Sequence, residues 1–203
     1  MDNWVVTYDL NSVLLINETQ REFILSDNPF VQYNPLMHRK ELFELAGGLI
    51  NKGLIIFFPL SPMYCFMMYD SFAYQTSEIE RKISISSTTD IDNINLLQSI
   101  SADQNFYFSS LTDKDYVIEL AQLGFDYKLD KHINKVINHP LDSSKKLFFT
   151  TYIEHMKTPE LSFLIEKNIE TDYDLLSAPR NKEIEDWVKM DKKKLHKAKT
   201  NTK

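Results

Sequence analysis

A chain of 203 residues with 43 % apolar and 26 % charged residues has the make-up of a globular protein, long enough to bury one ordinary core or two small ones. Its net charge is −6, but the segment Arg180 to Lys203 holds nine Lys/Arg against four Asp/Glu and so carries +5, leaving −11 on the other 179 residues. That distribution excludes a uniformly basic nucleic-acid-binding face, and leaves a basic tail on an acidic body.

The longest apolar run, Leu54 to Met68, is interrupted by Pro59, Ser61 and Pro62 and stays short of the roughly 20 residues that cross a bilayer. The opening Met1-Asp2-Asn3-Trp4 has no basic segment leading into an apolar one, as a secretion signal would. Cys65 is the sole cysteine, so no disulfide forms within the chain, and its large apolar neighbours predict a buried, inert thiol. A cytoplasmic location with no membrane partner is the expectation. Glycine occurs only at Gly47, Gly48, Gly53 and Gly124, which argues against phosphate-cradling loops and dinucleotide folds. The sequence assigns no cofactor.

In chain order, Trp4 to Tyr8, Val13 to Ile16 and Phe23 to Leu25 are short β-prone runs, the last two separated by the polar turn Asn17-Glu18-Thr19-Gln20. Phe30 to Tyr33 extends beyond the Asn28-Pro29 turn, and Asn34-Pro35 breaks it. His38 to Ala46 reads as a short helix ended by Gly47-Gly48. Leu54 to Phe58 and Met63 to Tyr69 are near-continuous apolar runs, the pattern of a sheet centre covered on both faces. Ile83 and Ile85 alternate with serines as one more strand.

Asp90 to Ala102 carries Ile91, Ile94, Leu97 and Ile100 at helical spacing, with Thr88, Thr89 and Asp90 as caps. Within this helix, Asn95 faces either solvent or the sheet. Phe106 to Ser109 follows as a strand. Thr112 and Asp115 open a helix that runs through Leu123 and stops at Gly124. Lys146 to Met156 is β-like early and helical in spacing late, and Pro159 introduces a helix over Glu160 to Lys167. Beyond Pro179, Ile184, Trp187, Val188 and Leu195 give a weak stripe over Asn181 to Lys199. The fold expected is mixed α/β of the α+β kind, with a largely antiparallel sheet in the N-terminal half and helices concentrated in the C-terminal half. Residues 1–179 form one domain and 180–203 a basic, helical or frayed tail.

Two short motifs stand out. Phe23-Ile24-Leu25 runs into Ser26-Asp27-Asn28-Pro29, and about thirty residues later Phe57-Phe58 runs into Pro59-Leu60-Ser61-Pro62. A third, weaker element is the helix from Asn93-Ile94-Asn95 through Ala102, followed by Phe108-Ser109. In order and spacing these resemble the hallmarks of DUF4238, a bacterial domain family of unknown function, over residues 3 to 112. Members of that family begin with a largely helical region bearing a His-x-x-Pro-like motif and an aromatic-rich segment. The chain's immediate start on a strand therefore implies the later part of the domain, as a short variant or as one half of a split gene.

Ser26, Asp27, Asn28 and Ser61 are the candidate catalytic residues. Asp27 at a strand end is where many α/β and nuclease-like folds place a metal-binding or general-base carboxylate. A PD-(D/E)xK-like nuclease also wants an acid and a lysine two apart on the next strand, and neither Leu54 to Phe58 nor Met63 to Tyr69 supplies them; Asp70 is the nearest acid. The competing structural role has Ser26 and Asp27 accepting backbone hydrogen bonds while Asn28-Pro29 fixes an extended turn. Ser61, flanked by Leu60 and Pro62, lacks the glycine elbow of a nucleophilic serine and suits a turn-capping hydroxyl. His38, His132, His139, His155 and His196 show no metal-ligand spacing. If the strands ending at Leu25 and Phe58 are parallel neighbours, Ser26, Asp27, Asn28 and Ser61 gather at one sheet edge as a pocket.

Two functions follow. The first is a noncatalytic or conditionally active module that works with an upstream-encoded partner, a missing N-terminal segment or a second copy of itself. The second is a metal-dependent hydrolase of phosphodiesters or nucleotides centred on Asp27, in a conflict or mobile-element system. Nucleic acid enters only through Lys192-Lys193-Lys194, Lys197 and Lys199, which have no interleaved aromatic residues for base stacking.

Overall fold

In the computed structural model the structure describes residues 7–36, 48–129, 133–139, 142–151, 159–167 and 179–186. The strands are β1 (Asn11–Asn17), β2 (Leu25–Ser26), β3 (Val31–Tyr33), β4 (Ile55–Ser61), β5 (Tyr64–Tyr69), β6 (Tyr74–Thr76), which no β-prone run announced, and β7 (Lys82–Ile85). Then come α1 (Thr88–Ser101), β8 (Phe106–Tyr107), α2 (Lys114–Leu129), β9 (Ile133–His139), β10 (Asp142–Thr151) and β11 (Leu164–Glu166). The fold is mixed α+β. Five strands form the main sheet in the order β3-β4-β5-β1-β7, antiparallel throughout except that β1 and β7 run parallel. Three two-stranded antiparallel pairs, β2 with β8, β6 with β11 and β9 with β10, complete the strand pairing.

The period-two side-chain alternation of the strands sorts the main sheet into two faces. Val13 and Leu15, Ile55 and Phe57, Cys65 and Met67, and Ile83 and Ile85 point into the principal core, where Ile91, Ile94 and Leu97 of α1 cover them. Burial pushes the Cys65 thiol well above the ordinary cysteine range, as an inert core thiol requires. On the opposite face Ile56 is also fully buried, packed with Leu10, Leu54, Leu49 and Met68. So β4 begins covered on both faces, as its unbroken apolar run predicts. Farther along, the second face is only partly covered: in register across the strands, Phe58, Phe66 and Leu14 form one row, and Tyr64 and Ile16 the next.

Several boundaries differ from the sequence expectation. Ser87, one residue before the expected caps, is the N-cap of α1: its backbone is extended and its hydroxyl accepts from Asp90 N. Asp113 rather than Thr112 caps α2, its carboxylate accepting from Asp115 N at 3.0 Å. Gly124 does not stop α2. It lies inside the helix where a side chain would collide with Ser99 of α1, 2.8 Å from its Cβ and 2.9 Å from its carbonyl carbon. The glycine is there to let two helices approach.

The helix expected over Glu160 to Lys167 is instead a turn followed by β11, paired with β6. Asp90 holds that turn by accepting from Ser162 N at 2.8 Å and Ser162 Oγ at 2.5 Å, so tertiary hydrogen bonds override the local helical spacing. Of Trp4 to Tyr8, Thr7 and Tyr8 lie in a turn and the rest falls outside the described residues, as do His38 to Ala46 and Trp187 to Lys199. Arg180, the first residue of the expected tail, is buried against the body, and residues 182–186 are helical. Among the described residues no helix is long and apolar enough to cross a membrane.

Candidate functional site

The Ser26-Asp27-Asn28-Pro29 segment lies between α1 and β8, and both neighbours bind it through polar groups. Asn95 and Gln98 stand three apart on one side of α1, where each is completely buried. Asn95 accepts from Ile24 N at 3.0 Å and donates to Glu22 O at 2.9 Å and to Tyr116 Oη at 3.0 Å. Gln98 accepts from Ser26 N at 3.2 Å and from Ser26 Oγ at 3.0 Å, and donates to Pro29 O at 2.9 Å. At the end of the helix Ser101 Oγ donates to Asn28 O and Asn28 Nδ2 donates back to Ser101 O. Side chains of a helix thus satisfy the backbone of an extended segment as a strand neighbour would. On its other side, Leu25 pairs with Tyr107 and Ser26 with Phe106.

Asp27 continues that pairing, its own N–H donating to Asn105 O at 3.1 Å. Its carboxylate closes the loop after α1. Oδ1 accepts from Asp103 N at 2.8 Å, while Oδ2 accepts from Gln104 N at 2.8 Å, Asn105 N at 3.0 Å and Asn105 Nδ2 at 3.4 Å. The Asp103 and Gln104 amides, with smaller help from Asn105, hold this carboxyl below the ordinary aspartate range even though partial desolvation opposes them. Such a group stays ionised and fixed, as a loop-closing acceptor needs; a general base would want the opposite shift.

Ser61 sits elsewhere. It ends β4, and its hydroxyl accepts from Met63 N at 3.3 Å across the β4–β5 turn. The turn is stapled to the 17–23 loop, because Pro62 O accepts from Phe23 N at 3.0 Å and from Asn17 Nδ2 at 3.3 Å. The premise that the strands before Ser26 and Pro59 are parallel neighbours is therefore wrong. β2 pairs with β8, and β4 lies between β3 and β5. The two motifs meet through a backbone bond from Phe23 to Pro62. Among the described residues no hydrogen bond joins Ser61 to Ser26, Asp27 or Asn28, and no group of three His, Cys, Asp or Glu is placed to hold a metal ion.

Sequence reasoning missed the groups that hold the motif. Glu22 accepts from Ser109 Oγ at 2.6 Å and from Thr112 Oγ1, fastening the approach to β2 onto the loop before α2. Arg21 places Nε 2.9 Å from Asp92 Oδ1 and its guanidinium carbon 3.7 Å from the centroid of Tyr116. Burial raises the Tyr116 hydroxyl above the ordinary tyrosine range, with the nearby Asp92 carboxylate adding to the rise. The one available signal was the pair Asn95 and Gln98, amides three apart beside the apolar stripe of Ile91, Ile94 and Leu97.

A separate groove of about 420 Å³ opens beside the N-terminus of α1, walled by Tyr33, Tyr74, Asp90, Glu160, Ser162 and Glu166. Its polar groups hold its own walls together: Tyr33 Oη donates to Pro159 O, Tyr74 Oη to Gly53 O, and Asp90 accepts from Ser162.

The fold and this ligature define a mixed α+β domain in which a Ser-Asp-Asn-Pro segment is clamped by a following helix and loop. Residues 4–112, more than half of the chain, match the model of the family described as "Protein of unknown function (DUF4238)", and the chain belongs to that family. The match takes in the Ser-Asp-Asn-Pro segment, the Pro-Leu-Ser-Pro turn and α1, and ends just before α2. No curated protein and no solved structure matches the chain.

Proposed function

We propose that this protein is a noncatalytic module that works joined to another polypeptide segment, either a partner encoded beside it or an N-terminal portion of its own domain family. The observation that carries this reading is the second face of the main sheet. Phe58, Phe66, Leu14 and Ile16 are partly exposed there, and at the β4–β5 tip Leu60 and Tyr64 are 56 % and 45 % exposed. Contiguous apolar surface of this kind marks an interaction site. The chemistry of the motif supports the same reading, since Ser26, Asp27 and Asn28 spend their hydrogen-bonding capacity on the chain's own backbone and side chains.

The competing reading, a metal-dependent hydrolase of phosphodiesters or nucleotides at Asp27, requires a divalent-metal activity that Asp27→Ala removes without unfolding the protein. The test of the module reading is a dye that fluoresces on apolar surface, combined with light scattering over a range of concentrations. Dye binding or self-association by the wild type, at least halved in the double variant Leu60→Ser/Tyr64→Ser, is the expected result. A monomeric wild type that binds no dye overturns it.

A further inference from the structure

The second face of the main sheet has a covered end and an open one. At the covered end Leu10, Leu54 and Ile56 pack with Leu49 and Met68. Farther along the strands two rows stay partly open, Phe58, Phe66 and Leu14 in one and Tyr64 and Ile16 in the next. Lys82, in register with Leu14, ends the first row at the β7 edge and is the one charged side chain in either. It makes no ion pair among the described residues.

The last described segment of the chain is fastened at the covered end. Arg180 donates from its guanidinium to Leu49 O and from its backbone N to Ile50 O at 2.9 Å, and it pairs with Asp9, the neighbour of Leu10. Asn181 Oδ1 then accepts from Ile184 N at 2.9 Å and caps the helix over 182–186, in which Ile184 is 1 % exposed.

The sequence carries a helical pattern on from there. Ile184, Val188, Asp191 and Leu195 follow at intervals of four, three and four, so they fall in line, with Trp187 beside them. The lysines from Lys189 to Lys199 fall on the flanks and back of that line. From Ile184 to Leu195 such a helix spans about 16 Å, and from Ile56 to Leu60 a strand spans about 14 Å. Stripe and face therefore match in length. They also match in charge, since the segment from Arg180 onward carries +5 and the other 179 residues −11. The single acid in the stripe, Asp191, suits the unpaired Lys82 at the edge of the face.

We infer that Trp187 to Leu195 continues the 182–186 helix across the second face of the sheet, over the row of Phe58, Phe66 and Leu14, with Asp191 beside Lys82. This rests on the module reading, and it narrows the surface left for a partner to the β4–β5 tip around Leu60 and Tyr64.

The test reads Trp187 in the full chain, where Trp4→Phe leaves it the sole tryptophan. A docked indole is expected to emit to the blue of a solvated one, and acrylamide quenches it at least about threefold less than in the urea-unfolded chain. Leu14→Ser/Phe58→Ser removes that protection. Lys82→Glu, at an exposed edge position that the fold does not need, raises quenching about 1.5-fold by setting like charges together, and adding Asp191→Lys lowers it again. In the chain with Trp4 intact, Trp187→Ser/Val188→Ser uncovers the row and raises dye binding at least about twofold.

A Trp187 quenched as freely as in urea overturns the inference, and so does a protected Trp187 that ignores both Leu14→Ser/Phe58→Ser and Lys82→Glu. If instead Trp4, made the sole tryptophan by Trp187→Phe, is protected and responds to the Leu14 and Phe58 changes, the N-terminal segment is the occupant and the inference also falls. If Trp187 is solvated while Leu60→Ser/Tyr64→Ser still lowers dye binding or association, the module reading stands alone. If Trp187 is docked as expected but the wild type is monomeric and binds no dye, the docking stands and the module reading falls.

Discussion

At Asp27 the decisive fact is the number of N–H groups converging on one carboxylate. Because its folded-state pKa is depressed, the stabilisation it gives is complete above the unfolded value of about 3.9 and is lost as pH falls through the lower folded value. Asp27→Asn replaces one acceptor oxygen with a donor facing backbone donors. The expected outcome is a variant that melts below the wild type at neutral pH, with the gap closing as pH drops below about 4; thermal melts from pH 7 to pH 3 check it, and a pH-independent gap refutes it. Gln98 carries a heavier penalty because it is buried. Gln98→Ala strands Ser26 N, Ser26 Oγ and Pro29 O at once, an expected loss of about 2–3 kcal/mol read by urea unfolding.

At the scale of elements, close approach of α1 and α2 rests on Gly124. Any Cβ there comes within 3 Å of Ser99, whose hydroxyl also donates to Leu120 O at 2.8 Å. Gly124→Val therefore forces the helices apart, with an expected loss of about 1–3 kcal/mol in denaturant unfolding despite the better helix propensity of valine. A neutral result would show that α2 can shift without cost.

The same glycine shows what a sequence hides. A lone glycine after an apolar stripe reads equally as a stop or as a contact point, and only the neighbour, Ser99, distinguishes them. Strands were legible wherever β-branched and aromatic runs ended in turn residues, as in β1, β4, β5 and β7. The Glu160 to Lys167 segment was not, because the bonds from Asp90 that set its turn come from a residue about seventy positions away. The motif was legible as a spelling, Ser-Asp-Asn-Pro. Its meaning lay in Asn95, Gln98 and the 103–105 amides, which no local pattern pairs with it.

Across the whole molecule, one ion pair ties a late segment of the chain to an early one. Arg180 donates from Nε to Asp9 Oδ2 at 3.1 Å and from Nη2 to Asp9 Oδ1 at 3.0 Å, a two-pronged pair whose side chains are 0 % and 9 % exposed. The guanidinium also donates to Leu49 O and Asn51 O, and Asn181 adds a bond to Asp9 Oδ2 at 2.7 Å. Pro179 bridges to Asn51, and Asn181 then accepts from Ile184 N to start the 182–186 helix. Charge alone makes Arg180 look like the first residue of a solvated tail, but its partners make it a buried bolt between residues 9, 49–51 and 180. Removing one member of such a pair leaves the other buried and uncompensated, so Arg180→Ala is expected to cost about 3–5 kcal/mol. Asp9→Ala should cost a similar amount, and the double variant much less than the sum of the two. Urea unfolding of the three variants measures this coupling. Additive losses would mean that Arg180 acts through its carbonyl contacts to Leu49 and Asn51 and that the link from residue 9 to residue 180 is incidental.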